Sequence, residues 1–249
     1  MIDLHCHILP LIDDGPVSWE VAAEMCRMAA QDGIRHIVAT PHANHRYRYD
    51  RQCFESMLQT LQASCDDLLA FSLGCDFHFS YDNIEDALRY PRRYTIARSN
   101  YLLVEFTDFS LMPSIRQGIF RLVSSSIVPI VTHPERNPVL LDRPQQVLEL
   151  IEYGCLIQVT ADSFTGHWGG RSQRMAEWLL DRDAVHIVAS DAHDTQHRPP
   201  ILSAACERVS YLTNKDRAQA LFVDNPRAIV STEAPLPREV PYAIPPEDR

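Results

Sequence analysis

The chain has 249 residues, 45% hydrophobic and 22% charged, which suits one large or two small folded domains and excludes global disorder and a fibrous repeat. Asp and Glu number 33 against 23 Lys and Arg, a net charge of −10 that makes the chain a poor non-specific partner for nucleic acid or an anionic membrane. Lys215 is the single lysine and no G-x-x-x-x-G precedes it, so a P-loop is excluded and phosphate binding falls to arginine, backbone amides or metal ions.

Met1-Ile2-Asp3-Leu4-His5 has neither a basic n-region nor an apolar h-region. No apolar run reaches the ~18 residues of a membrane span. Seven cysteines are scattered without C-x-x-C spacing, so reduced thiols in a cytoplasmic protein are expected.

In chain order, apolar runs at residues 2–5, 36–40, 71–75, 101–106, 128–132, 155–160 and 185–189 read as seven strands. Segments with helical spacing separate them. The first carries Val21, Met25 and Met28 at i, i+4 and i+7, with Ser18 placed to cap it and Gly33 just past its end. Further helices are predicted over 51–69, 113–125, 143–153, 172–181, 200–212 and 216–223, the last ending before Asn225-Pro226. Strands that are apolar throughout and spaced by helices predict parallel pairing with both faces covered. Seven such units fit a closed α/β barrel, with a doubly wound open sheet as the alternative. Residues 1–232 are expected to form one domain, and 233–249, with five prolines, a surface or disordered tail.

Parallel α/β architectures build their sites at the C-terminal ends of strands. Here those ends hold His5-Cys6-His7, Thr40-Pro41-His42, Asp76 with His78, Glu105, His133 and Asp191-Ala192-His193. A lone histidine at such a place is ordinarily a hydrogen-bonded surface or core residue, but six of the eleven histidines gather here. Residues i and i+2 of an extended chain share a face, so His5 pairs with His7 and Asp191 with His193. Mixed imidazole and carboxylate donors suit Mn²⁺, Zn²⁺ or Fe²⁺, and their number exceeds the needs of one ion. A cluster of two or three ions is expected.

No cysteine is followed six positions on by arginine, which counts against a cysteinyl-phosphate mechanism, and neither G-x-S-x-G nor G-x-G-x-x-G occurs. Arg136 and Arg198 follow His133 and His193 on loops at the same mouth, where their planar forks match phosphate oxygens. Salt bridges to Glu135 or Asp194, or simple solvation, are the alternatives.

The blocks His5-x-His7, Ile12-Asp13-Asp14-Gly15, Thr40-Pro41-His42, Glu105-Phe106, His133-Pro134-Glu135-Arg136 and Ser190-Asp191-Ala192-His193 resemble the polymerase and histidinol phosphatase (PHP) family. More narrowly, the chain is similar to the bacterial metal-dependent protein-tyrosine phosphatases encoded with capsule and exopolysaccharide genes. The resemblance implies a distorted seven-stranded (β/α) barrel and a trinuclear site, Mn²⁺ favoured and Fe or Zn also fitting. It places one ion on His5, His7, Asp76 and Asp191, a second on Asp76, Glu105 and His133, and a third on Asp14, His42 and His193. It also places Arg136 and Arg198 on the phosphate. In two places the chain departs from the family: Asp76 stands where the family typically has Glu, a reach shorter by about 1.5 Å, and Ala43 stands where a second histidine is often found. His45 is assigned no metal.

The implied reaction is hydrolysis of phosphotyrosine in proteins by a metal-bound hydroxide, without a covalent intermediate, with Asp191 the candidate for moving the proton. The expected partner is a bacterial tyrosine kinase that controls polysaccharide export. The loop Arg46-Tyr47-Arg48-Tyr49-Asp50-Arg51 is expected at the barrel mouth, its arginines attracting an acidic phosphopeptide and its tyrosines packing on the substrate ring. Rival readings are a PHP phosphatase of a small molecule such as histidinol phosphate, an amidohydrolase, and a barrel that has lost its metals.

Overall fold

The computed structural model describes residues 1–65, 69–107 and 115–231. The tail expected at 233–249, the end of the helix expected over 51–69 and the start of that expected over 113–125 fall wholly or partly outside the described residues.

The elements, in chain order, begin with β1 (Ile2–Cys6), α1 (Trp19–Gln31), β2 (His36–Ala39), β3 (His42–Ala43), α2 (Arg51–Ser64), β4 (Ala70–Leu73), β5 (Asp76–His78) and α3 (Tyr81–Arg89). Then come β6 (Tyr101–Glu105), α4 (Ile115–Ser124), β7 (Val128–Thr132), α5 (Pro138–Asp142), α6 (Gln145–Glu152) and β8 (Leu156–Thr160). The chain continues through α7 (Ala161–Thr165), α8 (Gly169–Asp181), β9 (Ile187–Ala189), α9 (Ser203–Leu212), α10 (Lys215–Gln219) and α11 (Asn225–Ser231).

All pairings are parallel, in the orders β1-β2-β4 and β3-β5-β6-β7-β8-β9. The nine segments amount to seven strands, because β3 continues β2 beyond Thr40-Pro41 and β5 continues β4 beyond Gly74-Cys75. Pro41 has no N–H to give to the ladder, which accounts for the first break. Hydrogen bonds still cross both breaks, from Gly74 N to Ala39 O at 2.8 Å and from Asp76 N to Pro41 O at 3.1 Å.

The ring closes between β1 and the turn after β9. Cys6 and Ala192 form a parallel bridge, Asp191 N donates to His5 O at 2.8 Å, and His7 N donates to Ala192 O at 2.8 Å. Buried Asp3 locks this seam by accepting from Ser190 N at 2.9 Å and from Ser190 Oγ. The expected closed barrel is therefore the architecture, and the open-sheet alternative is excluded by the closing bonds.

Strand alternation divides the apolar residues between two layers. Leu4, Val38, Leu103, Ile130, Leu156 and Ile187 form one cluster inside the ring, and Leu102, Val104, Val131, Ile157, Val159 and Val188 belong to the layer under the helices. Helix α1 shows how sequence sets that layer. Ser18 Oγ accepts from Val21 N at 3.3 Å, and Ala22, Met25, Cys26 and Ala29 form the buried stripe. The stripe is thus centred one residue away from the Val21–Met28 face read from spacing, both of which are half-buried.

Helix α3 had no counterpart among the predicted elements. The expected stop at Asn225-Pro226 is also absent: a π-helical turn over Ala220–Asp224, with Asn225 N donating to Ala220 O, carries the chain without a break into α11, and the missing N–H of Pro226 falls within this wider turn. All seven cysteines are free, and no helix among the described residues is long and apolar enough to cross a membrane.

Candidate metal centre

The strand ends bring the expected donors to one place. His5 lies at the end of β1 and His7 just beyond it, His42 opens β3, Asp76 opens β5, Glu105 ends β6, and His133, Asp191 and His193 follow β7 and β9. His7, Asp14, His42 and His193 form one group whose donor atoms lie within 4.8 Å of one another; His5, His7 and Asp76 form a second, and His42, Asp76 and Glu105 a third. His7 is therefore shared between two groups, its ring 3.9 Å from that of His193 and 4.5 Å from that of His42. Glu105 spans outward, with Oε2 3.7 Å from His42 Nδ1 and Oε1 3.7 Å from His133 Nε2. Despite its short side chain, Asp76 reaches both flanks: Oδ2 is 3.7 Å from His5 Nε2 and 3.1 Å from His42 Nδ1.

The imidazoles are aimed by partners on their outer nitrogens. His5 Nδ1 donates to Gln158 Oε1 at 3.0 Å, His7 Nδ1 to Asp13 Oδ2 at 2.8 Å, and His193 Nδ1 to the Asp191 carbonyl at 2.9 Å. Each Nε2 then faces inward, those of His5 and His7 only 3.3 Å apart. Outer-side hydrogen bonding of this kind is what orients metal-bound histidines. Asp13 also accepts from Gly15 N at 3.0 Å and His42 N at 3.1 Å, tying the loop after β1 to β3. The loop needs glycine at 15, because a Cβ there would sit 2.5 Å from the His7 carbonyl oxygen.

The donor set fits divalent ions on structural grounds. Both Asp76 oxygens and His42 Nδ1 are buried without a hydrogen bond, their mutual approach lying outside hydrogen-bond geometry. Such atoms are costly unless something bonds them. Protonation follows the same logic. Burial pulls His5 and His42 down, but Asp191 and Asp76 lift His5 to about 9, and Asp14 and Asp76 lift His42 to about 11. Burial and then Asp76 push Glu105 up to about 8. Burial lowers His7 to about 4, helped by His193, and His133 to about 3, helped by Arg136. Protons on His5 and His42 thus balance the crowded carboxylates, and cations would take over that balance.

Arg136 and Arg198 both ion-pair with Asp191 Oδ2. Neither takes the alternative partners considered from sequence. Glu135 instead accepts from Thr160 N at 3.0 Å and Ser163 Oγ at 2.7 Å, and Asp194 accepts from the backbone N–H groups of Gln196, His197 and Arg198. Burial raises Asp191, but His5 and the two arginines outweigh it and hold the carboxyl well below its usual range. Backbone φ is positive at His133 (35°) and Asp191 (54°), a conformation rare for non-glycine residues and concentrated at functional sites.

Comparison with known proteins gives the same direction. Residues 1–231 match the family model described as capsular polysaccharide synthesis, CpsB/CapC. The chain belongs to the CpsB/CapC family. It is 31% identical over 239 residues to the tyrosine-protein phosphatase CpsB of Streptococcus pneumoniae, covering 92% of this chain and 98% of that one. It is 32% identical over 202 residues to the tyrosine-protein phosphatase YwqE of Bacillus subtilis strain 168, covering 80% of this chain and 79% of that one. Among solved structures it is similar to one from the study of YwqE of Bacillus subtilis and CpsB of Streptococcus pneumoniae, described as unique metal-dependent tyrosine phosphatases. There the TM-score is 0.87 at 28% identity, covering 94% of this chain and 96% of the other. The phosphotriesterase homology protein of Escherichia coli shares the fold at a TM-score of 0.60 and 10% identity.

Within this CpsB/CapC chain the loop after β3 corrects one expectation. Tyr47 stacks on the His42 ring at 5.8 Å with Arg46 above it, so part of the loop does meet the site. Tyr49 does not: it is buried, and its hydroxyl donates to Gly74 O at 2.7 Å. Asp50 caps α2, and Arg51 is buried, donating to the carbonyls of Leu73, Arg93 and Thr95. An aromatic ring and a long basic stem in a polar loop found more free energy in packing than at the surface. His78 Nδ1 lies 4.0 Å from Glu105 Oε2, at the edge of the centre, and His45 is exposed and outside the donor groups. Sequence reasoning missed the aiming residues Asp13 and Gln158. A signal existed for Gln158, the single amide within the apolar run Cys155–Thr160.

Proposed function

We propose that this chain is a tyrosine-protein phosphatase of the CpsB/CapC family that works with two or three divalent ions, Mn²⁺ foremost, on phosphotyrosine in proteins. The observation that carries the reading is the convergence of inward-facing Nε2 atoms and unpartnered carboxylate oxygens beside two arginines. His5, His7, Asp76 and Asp191 would hold one ion, Asp76, Glu105 and His133 a second, and Asp14, His42 and His193 a third, with His7 also within reach of the last. Ions held there supply Lewis acidity: they lower the pKa of a coordinated water toward neutrality and offset charge on the phosphoryl oxygens.

The chain's own residues do the rest. Arg136 and Arg198 each use one nitrogen on Asp191 and keep others to meet phosphate oxygens. Asp191, ionised and buried, anchors both arginines. Asp13 and Gln158 keep the His7 and His5 rings from turning. Tyr47, stacked on His42, would offer its ring to that of a phosphotyrosine. Phenolate leaves with less proton assistance than an alkoxide, which agrees with a site whose main provision is charge neutralisation by ions and two arginines. The capsule-synthesis family and the acidic surface, relieved locally by Arg46 and Arg48, support a protein substrate, which we take to be a bacterial tyrosine kinase.

The test compares kcat/KM of Mn²⁺-loaded protein on phosphotyrosine peptides, phosphoserine peptides and histidinol phosphate. Preference for phosphotyrosine is expected. A preference of about tenfold or more for histidinol phosphate, about 1.4 kcal/mol in transition-state binding, would move the assignment to a small-molecule phosphatase.

A further inference from the structure

Each arginine of the phosphate clamp reaches Asp191 through a single nitrogen, Nη1 of Arg136 and Nη2 of Arg198, and both converge on the same oxygen, Oδ2. A one-point ion pair fixes a nitrogen but leaves the guanidinium plane free to turn about it. Arg136 Nη1 has one further contact, with Thr160 Oγ1 at 3.5 Å, and Arg198 Nε is buried with no partner. Something else must set the planes if the forks are to present a fixed geometry.

The indole of Trp168 is placed to do so. Arg136 Cζ lies 3.8 Å from the Trp168 ring centroid, the distance of a stacked contact, and Arg198 Cζ lies 5.6 Å from it. Among the described residues, Trp168 is the ring that touches both arginines. Its own Nε1–H is buried without an acceptor, so no hydrogen bond of the indole accounts for its position.

The backbone holds Trp168 between α7 and α8. Helix α7 ends at Gly166, whose φ of 85° turns the chain, and His167 N then donates to Asp162 O at 3.1 Å. Glu135 braces the start of α7 through Thr160 N and Ser163 Oγ. Glu135 is the neighbour of Arg136 in sequence, so one short segment carries the arginine and also anchors the helix that delivers its plate.

We propose that Trp168 is a positioning residue, a stacking plate that holds the Arg136 guanidinium, and more loosely that of Arg198, in the plane that receives phosphoryl oxygens. This rests on the reading of the two arginines as the phosphate clamp. An aromatic face attracts a guanidinium through its quadrupole and flat shape, and phenylalanine keeps both properties without the N–H.

The experiment measures inorganic phosphate binding to metal-loaded protein by calorimetry, and kcat and KM on a phosphotyrosine peptide. The variants are Trp168→Phe, Trp168→Leu, Arg136→Ala, Arg198→Ala and Trp168→Leu with Arg136→Ala, with metal content and Tm recorded for each. Trp168→Leu is expected to weaken phosphate and raise KM by about tenfold, Trp168→Phe to stay within about twofold of the parent, and Trp168→Leu to add little once Arg136 is absent. Parental phosphate affinity in Trp168→Leu, with weakened affinity in Arg136→Ala, overturns the plate and leaves the clamp standing. Equal losses in the Phe and Leu variants also overturn it, since a plate would tolerate phenylalanine. Parental phosphate affinity in Arg136→Ala and Arg198→Ala removes the clamp, and the plate with it.

Discussion

Asp13→Asn is the most informative substitution outside the donor set, because it removes one charge while nearly preserving shape. Asp13 Oδ2 accepts from His7 Nδ1 at 2.8 Å and from His42 N at 3.1 Å, and Oδ1 accepts from Gly15 N at 3.0 Å. Burial raises Asp13, but His7 and the backbone donors outweigh it and keep the carboxyl below its ordinary range, so the group is anionic at neutral pH. An asparagine has one accepting oxygen for three donors, and its NH₂ faces a donor wherever it is turned. The lost charge-assisted bond is worth about 1.5–3 kcal/mol locally. Its effect on the centre comes through the His7 ring, whose Nε2 is no longer held inward. Loss of such an outer partner weakens metal binding by about 10- to 100-fold, or about 1.4–2.8 kcal/mol. The assay is competition for Mn²⁺ against a chelating dye, with Tm as a control for folding. Metal affinity within about twofold of the parent, in a folded Asp13→Asn protein, would refute the claim that outer-side hydrogen bonds aim these imidazoles.

Three further outcomes are expected. Arg136→Lys and Arg198→Lys keep the charge but lose the planar fork, so each should lower kcat/KM on a phosphotyrosine peptide by about tenfold or more, and unchanged kinetics would take the residue out of the clamp. Cys6→Ser should retain most activity in protein that folds, because burial pushes the Cys6 thiol well above its usual range, the reverse of what a nucleophilic cysteine needs; complete loss in folded, metal-loaded protein would contradict this. Burial and then Arg217 lower His186 to about 4, while Ile157 N donates to its Nδ1 at 3.1 Å. The unfolded chain, with a pKa of about 6.5, takes up this proton first, so the contribution is present above that pH and is lost as pH falls toward 4. Between pH 7 and pH 5 the loss is about 2 kcal/mol, and urea unfolding of His186→Gln should show a correspondingly shallower pH dependence, equal slopes contradicting the assignment.

The strands and the donors were legible for the same reason. Buried parallel strands announce themselves as apolar runs, and a histidine or carboxylate directly after such a run has few places to go except the barrel mouth. What escaped the reading depended on contacts between distant segments. The role of Asp13 exists only because His7 turns its Nδ1 toward it, and the inward burial of Tyr49 and Arg51 depends on carbonyls left open around the Gly74 break and the turn at Arg93–Thr95. Helix α3 was missed because its apolar residues are few, Ile84 and Ala87 being the buried ones; its local mark was the cap, Ser80 Oγ accepting from Asn83 N at 3.3 Å. The break after β2 had a visible cause in Pro41, yet the continuation as β3 follows from pairing with β5, which sequence spacing does not reveal. Trp168 carried no sequence signal at all, since its meaning lies in two arginines that follow other strands.

The most direct test of the central claim is hydrolysis of a phosphotyrosine peptide by one preparation in three states: as purified, stripped by chelator, and reloaded with Mn²⁺, with metal content measured by elemental analysis in each. Activity should vanish on stripping and return on reloading in step with two or three ions per chain. Full activity in protein shown to be metal-free would contradict the account.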